Sequence, residues 1–257
     1  MATHVTDSNT VQSVSTSLRI LEVVHELGDS RVVDVTDHLD VSKSAVYKHL
    51  NTLEQEGYVV KDGETYRVGL RFLSFGEAAR KRHRICPISV PQMQDLADQT
   101  GEMSNLMVEE NGQGILLYRA TSDQAISLDT YAGTAVPLHC TANGKAILAN
   151  FDPERVEEIV DRHGLPKFTE NTITDRAELY AALEQIRERG WAYDRRERLE
   201  GLSCVSVPIT DIDDNVLGAV SVSGPASRME GERFTEEMPE LLLQAQNVIE
   251  MNVAYRD

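Results

Sequence analysis

The order of helical and extended patterns near the amino terminus constrains the fold more than any other feature of the sequence. Apolar residues recur at helical spacing from Ser15 to Leu27, and Gly28 ends the run. A short second helix is predicted from Asp34, as its N-cap, to Leu39. A third is predicted from about Ser42 to Glu56, with Gly57 ending it.

Two extended runs follow these helices. They cover Tyr58–Lys61 and Thr65–Gly69 and are separated by Asp62-Gly63 and one further residue. Asp-Gly between such runs is a strong hairpin signal. Three helices followed by a hairpin predict a winged helix-turn-helix over residues 14–69.

The third predicted helix has one apolar and one polar face. At about 100° per residue, Val46, Leu50 and Leu53 fall on one side and would pack against the first two helices. Between Val41 and Leu53 the sequence holds no carboxylate. Because small hydroxyls, amides and lysines suit base edges and phosphates, the polar face is predicted to enter a groove of duplex DNA. The predicted DNA-binding residues are Ser42, Lys43, Ser44, Tyr47, Lys48 and Asn51, to which the hairpin adds Lys61 and Arg67.

The net charge of the chain argues against binding to DNA. The chain has 42 acidic and 25 basic residues, which gives a net charge of −17. Such acidity ordinarily disfavours nucleic acid, and it leaves open that the winged helix contacts a protein partner. It is also typical of proteins kept soluble in a salt-saturated cytoplasm. We therefore expect a chain from a salt-adapted prokaryote that binds DNA through short-range contacts.

Composition excludes several other classes of protein. With 41% hydrophobic and 26% charged residues, the chain is ordinarily globular. It has neither a long apolar segment nor the pattern of a signal peptide, so we expect a cytoplasmic protein without a membrane span. The isolated Cys86, Cys140 and Cys204 indicate core thiols, and neither a disulfide framework, a metal site nor a cofactor is expected.

Helical spacing resumes after the hairpin. A helix is predicted from Leu70 to Arg84, and Pro87 and Pro91 are expected to break the chain after it. The basic run Arg80–Arg84 has two open interpretations, a solvated helix end or a contact with phosphate or an acidic partner. The predicted divisions are a flexible arm over residues 1–13, the winged helix over 14–69, a linker helix over 70–86 and a second domain over 87–257.

The second domain alternates helices and strands, which predicts an α+β fold with an antiparallel sheet. Helices are predicted over Ser89–Gly101, Ala142–Asn150, Pro153–His163, Asp175–Arg189 and Glu236–Val253, and strands over Met103–Glu109, Gly114–Arg119, Val205–Ile209 and Val216–Ser223. Within the last strand, alternation places Ser221 and Ser223 on one face. Cys204 falls on the face opposite Val205 and Val207.

Several segments resemble one family, the IclR transcriptional regulators. In the amino-terminal part they are Val11–Leu21, Leu39–Leu53 and Tyr66–Gly69. In the second domain they are Pro137–Ala149, Gly190–Asp194, Gly201–Ile209 and Leu217–Pro225. The resemblance spans nearly the whole chain, with the motifs in order. It implies a DNA-binding winged helix, a linker helix used in dimerisation and a GAF-like domain that binds a small effector.

The resemblance also implies an effector site. Its positions fall on Ala142, Asn143, Asp194, Cys204, Ser221 and Ser223. Asn143 departs from the small or apolar residue of the family, so the effector's size and identity do not carry over. Two hydroxyls, a carboxylate, a thiol and the backbone donors of the Ala142–Lys145 turn suit a small oxygen-rich metabolite such as an organic acid, a sugar or a sugar acid.

The sequence therefore predicts a regulator that is not an enzyme. It would act as a homodimer, with a tetramer left open, on a pseudo-palindromic operator, and would control a catabolic operon in response to its effector. An alternative with a catalytic role takes Cys204, His139 and Asp194 as nucleophile, base and orienting carboxylate of a hydrolase. No nucleophile elbow surrounds Cys204, which disfavours that alternative.

Overall fold

The computed structural model describes residues 10–123, 125 and 130–255. The chain forms two compact units, residues 1–80 and 81–257. Both contain helices and antiparallel strands, so the predicted α+β class is confirmed. Of the predicted arm over 1–13, residues 1–9 lie outside the described residues, and the first helix already begins at Gln12.

The first unit has the predicted order of helices and hairpin. Its elements are α1 (Gln12–Leu27), β1 (Ser30–Arg31), α2 (Val32–Asp37), α3 (Lys43–Gln55), β2 (Val59–Asp62), β3 (Thr65–Val68) and α4 (Arg71–Lys81). The strands pair antiparallel in the order β1-β3-β2. Ile20, Val24, Val46, Leu50 and Tyr66 are buried in a common core between the helices and this small sheet.

The start of α2 differs from the prediction. Asp34 is not the N-cap, because Arg31 holds that position. The carboxylate of Asp34 instead accepts a hydrogen bond from the backbone N–H of Arg31 (2.8 Å) from within the first turn. The N-cap therefore lies three residues earlier than predicted, and the helix follows immediately after β1, a two-residue strand that the sequence did not indicate.

Two helices follow the winged helix in place of one helix and a break. The predicted linker helix over 70–86 corresponds to α4, which ends at Lys81, and α5 covers Ile85–Thr100. The prediction that Pro87 and Pro91 break the chain was wrong, since both lie within α5. Pro87 is in the first turn, where backbone N–H groups have no intrahelical partner in any case.

The second unit is built around a larger antiparallel sheet. After α5 come β4 (Met103–Glu110), β5 (Gln113–Thr121), β6 (Ala135–Pro137), α6 (Ala142–Leu148), α7 (Pro153–His163), α8 (Arg176–Arg189), β7 (Ala192–Arg195), β8 (Leu202–Thr210), β9 (Val216–Pro225), a π-helical turn (Arg233–Glu237) and α9 (Met238–Tyr255). The strand order is β6-β5-β4-β9-β8-β7. Asn111 and Gly112, both with positive φ, form the tight turn between β4 and β5.

Helices cover both faces of this sheet. On one face, Leu106, Val205 and Val220 pack with α5 and α9. On the other, Met107 and Ala219 pack with α6, α7 and α8. Strand alternation therefore places Asn105 of β4, Cys204 of β8, and Ser221 and Ser223 of β9 towards the α6 side. None of the described helices is both long and apolar enough to cross a membrane.

Candidate functional site

A cavity of about 60 Å³ lies on the α6 side of the larger sheet. The structure brings all six residues of the predicted effector site to its lining, namely Ala142, Asn143, Asp194, Cys204, Ser221 and Ser223. These residues come from α6, β7, β8 and β9 and are far apart in the sequence. Their convergence on one cavity is the geometry that a small-molecule site requires.

Strand register explains how distant residues meet at the cavity. Asp194 on β7 pairs with Cys204 on β8, which pairs in turn with Ser223 on β9. A second row of paired residues runs from Ser221 on β9 through Asn105 on β4 to Arg119 on β5. Both rows face the cavity, so polar side chains of the sheet line one side of it.

The second row contains residues that the sequence reasoning missed. Arg119 donates from Nε to the Oδ1 of Asn105 (2.9 Å), and Asn105 donates from Nδ2 to the Oγ of Ser223 (3.2 Å). Arg119 also donates to the backbone oxygen and the hydroxyl of Thr130. Arg198, from the segment after β7, is a further lining residue. The polar Asn105, between Met103 and Leu106–Val108 in β4, was the available sequence signal.

Asn143 brings a side-chain amide to the cavity lining. Its Nδ2 donates to the backbone oxygen of Asn105 (3.4 Å), whereas its Oδ1 is buried and accepts no hydrogen bond from the described residues. The side chain is buried to more than nine tenths, with 4% of the residue exposed. A buried acceptor of this kind favours a ligand that brings a donor.

Asp194 is the carboxylate of the cavity lining. It is buried, and its Oδ1 accepts a hydrogen bond from the backbone N–H of Glu197 (2.7 Å). Burial, followed by the nearby negative charge of Glu197, raises the pKa of Asp194 to about 7. This carboxyl group can therefore both donate and accept hydrogen bonds near neutral pH.

The residues of the hydrolase alternative do not form a catalytic arrangement. Burial raises the pKa of the Cys204 thiol, the opposite of what activates a nucleophilic cysteine. Burial also lowers the pKa of His139, whose Nε2 lies 3.0 Å from the backbone oxygen of Pro166, and His139 is not part of the cavity lining. All three cysteines of the chain are buried and free.

In the first unit, α3 has the two faces that the sequence predicted. Val46, Leu50 and Leu53 are buried in the core. Five of the predicted contacts are exposed and Asn51 is half-buried; the exposed ones are Ser42, Lys43, Ser44, Tyr47 and Lys48. Ser42 is also the N-cap of α3, since its Oγ accepts from the backbone N–H of Ala45 (3.3 Å). Its hydroxyl is thus partly engaged within the helix.

His49 does not belong to the exposed face. Its Nδ1 lies 2.8 Å from the Oγ of Ser17 on α1, so the ring turns towards the body of the unit. The cations of this face are therefore the two lysines.

The hairpin presents its two basic residues differently. Lys61 is exposed, and its Nζ lies 5.4 Å from the centre of the buried Tyr66 ring, close enough for a cation–π contact. Arg67 lies 3.7 Å from the carboxylates of both Asp29 and Asp62. The charge of Arg67 is thus partly balanced by two exposed carboxylates of its own unit, whereas Lys61, Lys43 and Tyr47 line one open groove.

Two family models match the chain over these same regions. The model described as "IclR helix-turn-helix domain" matches residues 13–63, and the model described as "Bacterial transcriptional regulator IclR C-terminal" matches residues 77–250. The chain belongs to the IclR family of transcriptional regulators. It is accordingly a DNA-binding regulator with a carboxy-terminal effector-binding domain.

Known IclR-type proteins resemble the chain over nearly its full length. It is 30% identical to the HTH-type transcriptional regulator BhcR of Paracoccus denitrificans, covering 97% of this chain and 90% of that protein. It is also 30% identical to KdgR of Escherichia coli, with 95% of both chains covered. The crystal structure of Thermotoga maritima IclR superimposes with a TM-score of 0.77 at 31% identity, over 95% of this chain and 99% of that one.

Membership of the IclR family decides between the alternatives that the sequence left open. The named relatives are transcriptional regulators and not enzymes. The hydrolase alternative built on Cys204, His139 and Asp194 is thereby set aside. The raised pKa of the buried Cys204 thiol, which keeps that thiol protonated, agrees with this conclusion. The winged helix belongs to the same IclR helix-turn-helix family and is a DNA-binding domain.

Proposed function

We propose that this IclR-type regulator acts in the cytoplasm as a homodimer on a pseudo-palindromic operator. A small oxygen-rich metabolite, bound in the cavity of the second unit, would control its affinity for that operator. Two-fold symmetry of the protein would be matched by two half-sites about one helical turn apart. In this proposal residues 14–69 read the DNA, residues 70–86 link and dimerise, and residues 87–257 sense the effector.

The distribution of charge carries the DNA-binding half of the proposal. Residues 81–257 hold 17 basic and 30 acidic residues, whereas residues 1–80 hold 8 and 12, so most of the negative charge lies outside the DNA-binding unit. Within that unit, the exposed face of α3 has Lys43 and Lys48 and no carboxylate from Val41 to Leu53. Because this face has two lysines and no carboxylate, it can approach the negatively charged phosphate backbone of DNA although the chain as a whole is acidic.

Specific roles follow from position on the helix and hairpin. We assign the reading of base edges to Ser44, Tyr47, Lys48 and Asn51, whose side chains suit hydrogen bonds in the major groove. Ser42 and Lys43, at the start of α3, and Lys61, on the hairpin, would contact phosphates. Arg67 would join them only by leaving Asp29 and Asp62, so its contribution to affinity is expected to be small.

The cavity carries the sensing half of the proposal. We assign effector contacts to its six predicted residues, Ala142, Asn143, Asp194, Cys204, Ser221 and Ser223. Their hydroxyl, amide and carboxyl groups suit an organic acid, a sugar or a sugar acid. An allosteric coupling of about 1–3 kcal/mol would change operator occupancy several-fold or more.

Footprinting tests the proposal. The full chain is incubated at the ionic strength of its host cell with the DNA upstream of its own gene and of the flanking genes. We expect two protected half-sites, with protection weakened when Lys48 is replaced by Ala and unchanged when the exposed Lys167 of the second unit is replaced by Ala. The absence of any protected nucleotide would contradict the proposal.

A further inference from the structure

A hydrogen bond between side chains joins α3 to α1. The Nδ1 of His49 on α3 lies 2.8 Å from the Oγ of Ser17 on α1, and both residues are half-buried. Among the described residues it is the one hydrogen bond between side chains of these two helices. Elsewhere α1 and α3 pack through apolar side chains of the common core, such as Ile20 and Val46. The bond is therefore the directional part of the contact between them.

The direction of this bond follows from a second one. The hydroxyl of Ser17 lies 3.1 Å from the backbone oxygen of Ser13, one turn earlier on α1. A carbonyl oxygen can only accept, so Ser17 gives its single proton to Ser13. The Oγ of Ser17 accordingly accepts from His49, whose Nδ1 holds the donated proton. The two bonds together join the middle of α3 to the backbone of α1.

His49 lies at the edge of the buried face of α3. At about 100° per residue it falls beside the buried Val46, with Lys48 on its exposed side. Burial of apolar side chains is non-directional, whereas a hydrogen bond weakens when its distance or angle changes. A rotation of α3 about its axis would stretch this bond, and it would also move Tyr47, Lys48 and Asn51 relative to the DNA.

We infer that His49 is a positioning residue for the reading of the operator. Its bond to Ser17 sets the rotation of α3, and with it the placement of Tyr47, Lys48 and Asn51 on the base edges. The inference rests on the proposed function, because it takes α3 as the element that reads the operator. Loss of the bond should lower the affinity for the operator and not the affinity for other duplexes, since base contacts give specificity and phosphate contacts give non-specific binding.

Two replacements of His49 separate the bond from other effects of substitution. In H49N the amide nitrogen is attached to Cγ, as Nδ1 is in His, so it can still donate to Ser17. In H49L the side chain has the same branching at Cγ and no donor. Leu is a better helix former than Asn. Helix propensity therefore favours the variant that we expect to lose affinity.

Affinities of the full chain are measured by fluorescence anisotropy, with the operator found by footprinting and with a scrambled duplex of equal length. We expect H49L to bind the operator about 3- to 10-fold more weakly than the unaltered chain, as the loss of one hydrogen bond predicts. H49N should stay within about twofold of the unaltered chain, because it keeps the donor. Circular dichroism in urea should show that H49L is at least as stable as H49N.

Ser17 and His38 supply the controls. S17A removes the acceptor, and S17A combined with H49L should bind the operator as weakly as either single variant, because both changes remove the same bond. The Nδ1 of His38 lies 2.8 Å from the backbone oxygen of Asp34, one turn earlier on α2. Because this bond is local to α2, H38L and H38N should bind the operator equally.

Four results would overturn the inference. They are equal operator affinities of H49L and H49N, additive losses in the combination of S17A with H49L, a loss of affinity for the scrambled duplex as large as that for the operator, and the same ranking at His38. Should H49L fail to fold, S17A and S17T, which differ in the acceptor hydroxyl, make the same comparison from α1. Footprinting with the unaltered chain tests the proposed function separately. Protected half-sites together with any of these results would overturn only the role of His49.

Discussion

Lys145 on α6 donates hydrogen bonds to both carboxylate oxygens of Glu197, and the two side chains are only 5% and 7% exposed. The same Glu197 donates its backbone N–H to Asp194 in the cavity (2.7 Å) and accepts at its backbone oxygen from the hydroxyl of Thr172 (2.6 Å). This ion pair therefore fastens α6 to the segment that follows β7. Two walls of the cavity are held together by it.

Replacing Lys145 with Met should destabilise the second unit by about 3–5 kcal/mol, because Glu197 would remain buried without a counter-charge. Replacing Lys167, whose pairing with Glu170 is exposed, should cost less than about 1 kcal/mol. Unfolding in urea is followed by the fluorescence of Trp191, the single tryptophan of the chain, which lies in this unit. Adding Glu197→Leu to Lys145→Met should recover most of the loss. Equal costs for the two lysine variants would contradict the role assigned to the buried pair.

The stability of the second unit should fall as pH rises from about 4 to about 7. The pKa of Asp194 is about 7 in the folded chain, against an ordinary value of 3.8, so the folded state holds a proton that the unfolded state releases. At about 1.4 kcal/mol per pKa unit, the loss reaches at most about 4 kcal/mol and levels off above pH 7. Urea unfolding from pH 4 to pH 8 compares the chain with D194N, which should lack this slope. Parallel pH profiles would show that Asp194 does not titrate as assigned.

Gly144 should tolerate no side chain. A Cβ at this position would lie 2.1 Å from the backbone oxygen of Leu138 and 2.4 Å from its Cα, and a backbone contact cannot yield as a flexible side chain can. We expect Gly144→Ala to lower stability by about 2–4 kcal/mol and to weaken ligand binding at the adjacent Asn143. Gly201→Ala is the control, since nothing lies within 4 Å of its Cβ, and its effect should stay within about 0.5 kcal/mol. Thermal unfolding measures both, and equal melting temperatures would refute the predicted clash.

Local signals in the sequence were enough to predict most elements of the fold. Pro153 at the first helical position and Gly164 after the last define α7 at the predicted bounds. Asn111-Gly112 marked the β4–β5 turn. The short strands β1, β6 and β7 were missed because each is only two to four residues long and is defined by its pairing with a distant strand. The strand β1, for example, exists through the pairing of Ser30 with Tyr66.

The residues of the cavity also divide into those that local sequence signals indicate and those that depend on the pairing of distant strands. Ser221 and Ser223 could be predicted as neighbours because alternation along one strand places them on one face. Arg119 and Asn105 could not, since they reach the cavity only because β4 pairs with β9, and no local signal indicates that these two distant strands are neighbours. The burial that raises the pKa of Asp194 likewise depends on packing with α6. Predicting such residues requires the strand order as well as the residue types.

Replacing Lys48 with Ala should weaken operator binding by about 1–3 kcal/mol. Lys48 is exposed at the centre of the α3 face, where its ammonium group can reach a base edge or a phosphate. If Lys48 contacts a phosphate, its removal should make the dependence of affinity on salt weaker, with the magnitude of the slope of log affinity against log salt smaller by about 1. If Lys48 reads a base, its removal should instead relax the specificity at one position of the half-site. Fluorescence anisotropy with the operator and with single-base variants distinguishes these outcomes. Lys167→Ala, which removes the same charge from the second unit, is the control. If the Lys48 variant bound the operator as tightly as the unaltered chain, this face of α3 would be excluded from the interface.

Specific operator binding should persist above about 1 M KCl. With a net charge of −17, the chain as a whole repels DNA in dilute buffer. At 1 M salt the Debye length is only about 3 Å, so the carboxylates of the second unit no longer act at the distance of the DNA. Counterion release also weakens there, which leaves the short-range contacts of Ser44, Tyr47, Lys48 and Asn51 to hold the complex.

Fluorescence anisotropy over about 0.1–2 M KCl, with a scrambled duplex of equal length as control, tests this prediction. The ratio of the affinity for the operator to the affinity for the scrambled duplex should be kept or increased at high salt. Tight binding in dilute buffer that disappears near 1 M would instead show that long-range attraction dominates, and the salt-adapted interpretation of the acidic composition would be wrong.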